Sequence, residues 1–394
     1  MRLAENTEYF EQNVHVDFKT HVWFTENLFE PANNVLAKVL IPTGVRPPKL
    51  LVVVESGILS HHPKLADAIG EYARLHDLDL VAPPLVLEGG EAIKHSLDGV
   101  HKVLEAINAG DIDRHSYVVT IGGGAFLDAT GFAVATAHRG VRCVRVPTTV
   151  LSQDDSGVGV KNAINLFSKK NWWGSFQPPH AVLNDASFLT TLPDREWRGG
   201  MAEAVKIALI RDGGFFDELE RNAARLAARD MQAMRDLVKR CALGHMAHIR
   251  EGGDPFEMGA ARPLDHGHWS AHKLEAISSW EIRHGEAVAI GLALDAVYAR
   301  RKGYLSSGEC ERILRLLTAL GFALWAPELE SRGANGELQI VLGLEEFRQH
   351  LGGELTITLI EGIGDGFEVH EMDGAVIAAS VGELKQRFGL REAA

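Results

Sequence analysis

The first half of the chain alternates short apolar runs with amphipathic stretches. Continuous apolar runs are typical of strands that are buried on both faces of a parallel sheet. Such runs predict strands at 49–55 (KLLVVVE), 78–81, 116–121 (SYVVTI) and 141–146. Apolar positions at helical spacing predict helices at 91–109 and 126–138. This order predicts a Rossmann-like parallel sheet covered by helices over residues 1–192.

The second half of the chain has a different pattern. Beyond residue 192, long amphipathic segments predict helices at 196–210, 215–228, 231–249 and 285–302. Near the C-terminus, the alternation in 354–360 and a glycine-rich turn predict a hairpin that ends at 367–370. The predicted fold class is therefore α/β. A Rossmann-like parallel-sheet domain is followed by an all-helical C-terminal domain at 193–394, apart from this one hairpin.

The chain has 394 residues, a length that supports two domains. Its composition limits the kinds of partner that it is expected to bind. Forty Lys and Arg against 53 Asp and Glu give a formal charge of -13, which repels nucleic acid and anionic lipid. No stretch approaches the ~20 apolar residues that span a bilayer, and the N-terminus lacks an apolar export segment. Three scattered cysteines fit a reducing compartment. We therefore expect a cytoplasmic protein that binds neither nucleic acid nor membranes.

Three consecutive glycines, Gly122, Gly123 and Gly124, follow the strand predicted at 116–121. Glycines between a strand and a helix let the backbone approach a pyrophosphate, which the helix N-terminus attracts. The run lacks the G-x-G-x-x-G spacing, so a nucleotide site and a simple tight turn both remain open. Glu55 ends an apolar strand and could accept ribose hydroxyls, although a solvated strand end explains it equally.

Three segments of the second half carry residue types that bind divalent metals. Glu203 and Lys206 are three apart on one predicted helix face. His268 and His272 are four apart, which is ligand spacing on a helix, and His284 begins another helix. Glu203, His268 and His284 with an open fourth position would suit catalytic zinc or a similar ion. With 18 histidines in the chain, chance pairs are the alternative.

The stretch between 147 and 178 is rich in glycine, lysine and asparagine. In an acidic protein, lysines such as Lys161 and Lys170 beside glycines fit a phosphate pocket. A solvated surface loop is the alternative.

A metal and a dinucleotide in one chain would indicate redox chemistry at a carbon that bears oxygen.

In this order, the motifs resemble those of the dehydroquinate synthase-like sugar-phosphate cyclases, from about residue 49 to the C-terminal hairpin. The glycine run with Asp128 is similar to the family's G-G-G-x-x-x-D cofactor loop, and 90–94 is similar to its G-E-x-x-K motif. The resemblance implies an NAD site spread over the first half of the chain. Its residues are Glu55, Glu91, Lys94, Gly122, Gly123, Gly124, Asp128, Thr148, Thr149, Lys170, Phe188 and Thr191.

The same resemblance implies the metal and the substrate sites. Glu203, His268 and His284 would bind zinc or cobalt. The implied catalytic residues are Asp155, Lys161, Lys206, Asp265 and His272, and the implied substrate-phosphate residues are Arg139, Lys161, Lys170 and Asn171. Arg139 resembles an arginine that reaches the phosphate in a neighbouring subunit, which implies a homodimer.

The chain departs from the family members that make dehydroquinate. Their R-x-x-L-N segment reads ARPLD here, so Ala261 replaces the arginine and Asp265 the asparagine. The lysine that helps to hold the substrate carboxylate is missing from 245–248, and a C-terminal lysine pair reads Arg348-Gln349. A buried unpaired charge is costly, so a carboxylated substrate is disfavoured. Asp265 resembles the valiolone-type branch, which acts on sedoheptulose 7-phosphate, whereas the histidine at 272 points to another clade such as the cyclase of bacterial ebo gene clusters.

The resemblance implies a carbon–oxygen lyase that oxidises a carbinol transiently, eliminates phosphate, returns the hydride and closes a ring by an aldol step. A non-carboxylated heptulose phosphate such as sedoheptulose 7-phosphate is the expected substrate. Three alternatives stay open: 3-dehydroquinate synthase, a metal-dependent alcohol or glycerol dehydrogenase, and a catalytically inactive binding protein.

Overall fold

The computed structural model describes residues 8–42, 44, 46–167, 169–252, 254–256, 263–333, 335–350 and 353–389. Ala261 lies outside the described residues. The described strands are β1 (His21–Thr25), β2 (Lys49–Glu55), β3 (Asp79–Leu80), β4 (Leu85–Leu87), β5 (Tyr117–Gly122), β6 (Arg142–Pro147), β7 (Lys161–Leu166), β8 (Lys169–Phe176), β9 (Ala181–Asp185), β10 (Ile357–Gly362) and β11 (Asp365–Val369). The described α-helices are α1 (Val35–Val39), α2 (Ser56–His61), α3 (Leu65–Leu75), α4 (Asp98–Ala109), α5 (Gly124–Thr136), α6 (Asp194–Gly199), α7 (Met201–Arg211), α8 (Gly213–Ala227), α9 (Met231–Glu251), α10 (His268–Ile277), α11 (His284–Lys302), α12 (Ser307–Ala319), α13 (Gln339–His350) and α14 (Gly374–Phe388).

The first half folds around one parallel sheet of seven strands. Its order is β1-β9-β6-β5-β2-β3, with β4 beside the distal part of β2. Successive residues of β2 pack into opposite cores: Leu50, Val52 and Val54 on one face, Leu51 and Val53 on the other. Burial on both faces explains why this strand is a continuous apolar run. The predicted α/β fold is confirmed.

The second half is helical from α6 onward, with its own apolar core. The predicted hairpin forms as β10 and β11, so "all-helical" holds only apart from this hairpin. The helix predicted at 196–210 is two helices, α6 and α7, which meet at Gly200. A Cβ on Gly200 would lie 2.5 Å from the backbone nitrogen of Leu151, so the glycine permits a close approach.

Two further sequence predictions need correction. The stretch predicted as a helix at 91–109 begins with a separate 3-10 turn at Glu91–His95, and α4 begins only at Asp98. The stretch interpreted as a loop between 147 and 178 contains an antiparallel hairpin, β7–β8. This hairpin lies beside α5, where the ring of Trp173 meets that of Phe132 at 5.2 Å. None of the described helices is both long and apolar enough to cross a bilayer.

Sheet register brings several predicted site residues to one edge. Ile121 pairs with both Val54 and Val146, and Gly122 pairs with Pro147. The carboxyl ends of β2, β5 and β6 therefore meet, since parallel strands end at the same edge of a sheet. Glu55, the glycine run and Thr148 lie at these three ends. Ligands of open α/β sheets bind outside this edge.

Candidate active site

A cleft of about 1070 Å³ opens between the carboxyl edge of the sheet and the helical half. Most of the residues singled out in the sequence line it. They are Glu55, Glu91, Lys94, Gly123, Gly124, Asp128, Thr148, Thr149, Asp155, Lys161, Lys170, Asn171, Phe188, Thr191, Lys206, Asp265, His268, His272 and His284. One cleft therefore collects residues that are up to 229 positions apart, from Glu55 to His284.

Three predicted site residues do not line the cleft. Gly122 ends β5 behind the glycine turn, where a Cβ would lie 2.4 Å from the ring of Phe126. Glu203 is fully buried beneath the cleft surface. Arg139 lies in an exposed 3-10 turn after α5, with a positive φ of 62°. Its guanidinium is therefore not part of the cleft of its own chain.

Glu55 ties two loops together at the sheet edge. Its Oε2 accepts the backbone N–H of Gly123 at 2.7 Å, and its Oε1 accepts that of Gly90 at 3.1 Å. A Cβ on Gly89 would collide with this carboxylate, so the loop before the 3-10 turn must pass close to it. The carboxylate that the sequence assigned to ribose hydroxyls thus also orients the glycine turn.

Lys94 connects the two motifs that resemble cofactor motifs of the family, namely 90–94 and the glycine run with Asp128. It is 2% exposed, and its Nζ donates to Asp128 Oδ2 at 2.7 Å and to Asn171 Oδ1 at 2.5 Å. Asn165 completes the network, because its amide donates to Glu91 Oε1 at 2.8 Å. A buried ammonium with two short charge-assisted hydrogen bonds holds the turn, α5 and the β7–β8 hairpin in one arrangement.

At the same end of the cleft, one wall combines an aromatic ring with hydroxyl groups. Phe188 is buried, and its ring meets that of His62 edge-on at 5.2 Å. Thr191 Oγ1 lies 3.2 Å from His62 Nε2, and Thr149 Oγ1 donates to Ser152 Oγ at 2.9 Å. An aromatic wall with hydroxyls suits a nucleoside. His62 was not singled out in the sequence.

At the opposite end of the cleft, the predicted metal residues converge. The ligand atoms of Glu203, His268 and His284 all lie within 4.8 Å of one another. Nε2 of His268 and Nε2 of His284 lie 3.6 and 3.3 Å from Glu203 Oε1. Both carboxylate oxygens of Glu203 are buried, with Oε1 facing the two imidazole nitrogens and Oε2 facing Lys206. This donor set fits a divalent cation with nitrogen and oxygen ligands.

The second nitrogen of each imidazole is already occupied. Nδ1 of His268 lies 3.1 Å from the backbone oxygen of His266, and Nδ1 of His284 lies 3.2 Å from Glu275 Oε2. Such partners fix the orientation and tautomer of metal-binding histidines. Both Nε2 atoms are therefore left to face Glu203.

The ionisable side chains around Glu203 and His284 lie in pairs of opposite charge. Lys206 Nζ lies 2.5 Å from Glu203 Oε2 and 3.8 Å from Asp155 Oδ1. Burial would raise the pKa of Glu203, but the Lys206 ammonium together with His268 and His284 outweighs it and lowers the pKa to about 2. Burial would lower the pKa of His284, but the carboxylates of Glu275 and Glu203 together outweigh it and raise the pKa to about 9. The protein alone thus holds a proton at His284, which a divalent cation would displace.

Glu275 links two parts of the cleft. One is the Glu203–His268–His284 group, called the metal-type cluster below, and the other is the β7–β8 hairpin with Lys161, Lys169 and Lys170, called the lysine-rich hairpin. It is 4% exposed, and Lys170 Nζ donates to its two oxygens at 2.8 and 3.0 Å. His272, His284 and Glu275 also have ligand atoms within 4.8 Å of one another. Sequence reasoning missed Glu275, but a signal existed. It is three and seven positions after His272 and His268, on the same face of α10.

The start of α10 is fixed by one buried carboxylate. Asp295 on α11 accepts the backbone N–H of Gly267 at 3.0 Å and the indole N–H of Trp269 at 2.9 Å. These two residues flank His268, and Gly267 has φ 77°. Asp295 therefore sets the direction in which the imidazole of His268 points.

Asp154 is a buried carboxyl group without a stabilising partner. Neither of its oxygens has a hydrogen bond among the described residues, and burial raises its pKa well above the ordinary value. At any pH between the ordinary carboxyl pKa and the raised pKa of Asp154, the unfolded chain carries this group ionised, whereas the fold keeps it protonated. Folding then takes up a proton, and stability falls as pH rises above the ordinary pKa of about 4.

Asp154→Asn removes this titration from both states. Relative to the native chain, the variant should gain about 1.4 kcal/mol of stability per pH unit above pH 5 while the native group stays protonated. Urea unfolding of both proteins at pH 5, 6, 7 and 8 measures the difference. Parallel pH dependences of the two proteins would contradict the prediction.

The chain matches two family models, the 3-dehydroquinate synthase N-terminal model over 84–199 and the C-terminal model over 200–338. It is 39% identical to a 3-dehydroquinate synthase of Nitrosospira multiformis over 286 residues, or 72% of this chain and 76% of the relative. The chain belongs to the 3-dehydroquinate synthase family. A similar enzyme from a Geobacter species is 40% identical over 62% of this chain and 67% of its own length.

Solved structures of this family's fold include other cyclases. 2-epi-5-epi-valiolone synthase from Streptomyces hygroscopicus, with NAD+ and Zn2+ bound, is 28% identical and superposes with a TM-score of 0.85 over 96% of this chain and all of that one. A 2-deoxy-scyllo-inosose synthase complexed with carbaglucose-6-phosphate, NAD+ and Co2+ superposes with a TM-score of 0.73 at 24% identity, covering 92% and 96%. At that identity the second likeness shows the fold alone.

Proposed function

We propose that this protein is an NAD- and divalent-metal-dependent sugar-phosphate cyclase acting on a non-carboxylated heptulose phosphate such as sedoheptulose 7-phosphate. One observation carries the proposal. The Glu203–His268–His284 group, the lysine-rich hairpin and the glycine turn all adjoin a single cleft. A substrate that spans the cleft would therefore meet a Lewis acid, a phosphate site and a hydride acceptor together.

We assign NAD to the sheet edge and Zn or Co to Glu203, His268 and His284. The valiolone synthase that resembles this chain binds NAD+ and Zn2+, which supports the assignment. When bound, NAD supplies a reversible hydride acceptor and the metal supplies a Lewis acid for the carbinol oxygen. In the same proposal, residues 1–192 form the NAD-binding domain and 193–394 the metal- and substrate-binding domain.

The chain's own residues supply positioning and charge. Lys161, Lys170 and Asn171 would bind the substrate phosphate by charge-assisted hydrogen bonds. Lys206, held between Glu203 and Asp155, would donate to the reacting oxygens, and its pKa is raised because these carboxylates outweigh the effect of burial. Asp265 would accept hydroxyl donors. Burial lowers the pKa of His272, so it would meet the substrate as a neutral imidazole.

Departures from the dehydroquinate-synthase pattern at the expected carboxylate-binding positions support a non-carboxylated substrate. Ala261 stands where the resemblance expects an arginine, and Asp265 stands where it expects an asparagine. His245 and His248 line the part of the cleft where a lysine would be expected. Asp265 facing a substrate carboxylate would place two carboxylates side by side, which is unfavourable.

The main alternative is 3-dehydroquinate synthase itself. The curated relatives at 39% and 40% identity carry that name. A second alternative, a metal-dependent alcohol dehydrogenase, rests on fold alone. A butanol dehydrogenase of Thermotoga maritima superposes with a TM-score of 0.65 at 16% identity. The phosphate cluster around Lys161 and Lys170 argues against this second alternative.

A homodimer is part of the proposal. Aromatic side chains of β8, Trp172, Trp173 and Phe176, are 43 to 52% exposed. Gln177, next to them, donates to the backbone oxygen of Val141 at 3.2 Å, which brings β8 close to the turn that carries Arg139. A second copy docking on this aromatic surface would cover it and would bring its Arg139 towards the neighbouring cleft.

The extended segment at the N-terminus supports the same surface. Its apolar residues, Val14, Val16 and Phe18, alternate and are 57 to 73% exposed. Phe18 meets Phe256, whose ring stacks on that of Phe176 at 5.5 Å.

We further propose a cytoplasmic location, because all three cysteines are buried and unpaired, which suits a reducing compartment.

One screen tests the proposed function. Enzyme with NAD and Zn2+ or Co2+ is mixed with sedoheptulose 7-phosphate, with the carboxylated heptulosonate phosphate, and with simple alcohols. Phosphate release from sedoheptulose 7-phosphate is the expected result. Release from the carboxylated substrate alone would identify a 3-dehydroquinate synthase, and net NADH from alcohols would identify a dehydrogenase. No phosphate from any sugar phosphate would refute the proposal.

A further inference from the structure

His245 and Asp155 form a close pair that faces the cleft. Nδ1 of His245, on α9, lies 2.8 Å from Oδ1 of Asp155, in the π-helical turn Ser152–Ser156. The two side chains are 12% and 18% exposed. Burial would raise the pKa of Asp155, but the Lys206 ammonium together with the contact to His245 outweighs it and holds the pKa low. The carboxylate is therefore ionised, and it places the imidazole proton on Nδ1.

That tautomer leaves Nε2 of His245 as a proton acceptor. A Cβ on Gly159 would lie 3.6 Å from this nitrogen, so Nε2 faces the loop that leads into Lys161. On the other side of the pair, Asp155 approaches Lys206, which contacts Glu203. The His245–Asp155 pair thus lies between the metal-type cluster and the loop that leads into the proposed phosphate cluster, with Nε2 on the side of that loop.

The neighbouring histidine of α9 is held in a different way. Nδ1 of His248 lies 2.9 Å from the guanidinium of Arg211, and burial together with that charge lowers its pKa to about 4. No carboxylate among the described contacts hydrogen-bonds to the imidazole of His248. Of the two cleft histidines on α9, only His245 has the carboxylate–imidazole arrangement of a general base.

We propose that His245 is the base of the elimination step, an inference that rests on the proposed function. Loss of phosphate requires removal of a proton from the carbon between the new ketone and the phosphate-bearing carbon. Nε2 takes that proton, the C–H electron pair forms the C=C bond, and the C–O bond breaks with its pair leaving on phosphate. The ketone would lie at the metal-type cluster and the phosphate at Lys161, so this carbon falls beside His245.

The decisive variant is His245→Gln, which keeps a polar side chain but cannot accept the proton. It is mixed with NAD, Zn2+ and sedoheptulose 7-phosphate in a single turnover, and bound NADH and free phosphate are followed together. NADH should form at close to the native rate and accumulate, whereas phosphate release should slow about a hundredfold or more. Exchange of the substrate C–H with deuterium from solvent should be lost in parallel.

Controls separate a base from a structural role. Metal content, NAD binding and thermal unfolding of His245→Gln should match those of the native protein, and so should all rates of His101→Gln on the exposed surface of α4. Unchanged phosphate release in His245→Gln would overturn the inference. Equal loss of NADH formation and phosphate release would also overturn it, because that pattern indicates substrate positioning. Native enzyme giving neither product would instead refute the proposed function, and the inference would fall with it.

Discussion

Glu203→Gln should abolish tight metal binding and lower phosphate release by about a thousandfold, the loss expected when a Lewis acid worth several kcal/mol is removed. The side chain is fully buried, and its Oε1 faces Nε2 of both His268 and His284. The amide keeps the shape of the carboxylate but removes the one negative charge among the three ligands. Elemental analysis of the purified protein and phosphate release at saturating Zn2+ measure the two effects.

Two comparisons make this result specific. Glu71→Gln, on the exposed surface of α3, applies the same chemical change away from the cleft and should leave metal content and rate unchanged. Thermal unfolding in the presence of chelator compares the folds of the native protein and Glu203→Gln without a metal. Native metal content in a folded Glu203→Gln would place the cation elsewhere and would remove the basis of the proposed function.

The large sheet was predictable in part: β2, β5 and β6 were found, whereas β9 was missed although all of its residues are buried. β2, β5 and β6 lie within one residue of the predicted strands, because continuous apolar runs such as 49–55 are typical of strands that are buried on both faces of a sheet. β1 was missed because it is an edge strand with mixed exposure. The β7–β8 hairpin was missed because its lysines and asparagines resemble a loop, and it gains its support from α5 rather than from the sheet.

The candidate site was predictable residue by residue but not as a network. Glu203, His268 and His284 have distinctive chemistry and local spacing, so sequence reasoning singled them out, and the structure brings them together. Their orienting partners come from other elements. Asp155 and His245 are 90 positions apart, and Lys170 and Glu275 are 105 apart. Such pairs depend on how the helical half packs against the hairpin, which periodicity alone does not specify.

Mixing two inactive variants should restore activity if Arg139 acts across a dimer interface. Arg139→Ala should lower phosphate-release kcat/KM by about a hundredfold, as expected for one lost guanidinium–phosphate contact. In a mixed dimer with Glu203→Gln, one cleft combines native Glu203 with the partner's native Arg139, and the other cleft lacks both. Random exchange at equal amounts should give about a quarter of native activity, since half of the dimers carry one complete site of two.

The same mixing experiment with Lys206→Ala and Glu203→Gln is the matched control. Both of these side chains belong to one cluster of one chain, with Lys206 Nζ 2.5 Å from Glu203 Oε2, so no mixed dimer regains a complete site. The turn at Arg139 explains why the two cases differ. It is exposed, has positive φ at 138, 139 and 140, and does not line the cleft of its own chain. Failure of the Arg139→Ala mixture to recover, with subunit exchange verified by two affinity tags, would assign Arg139 no role at the neighbouring site.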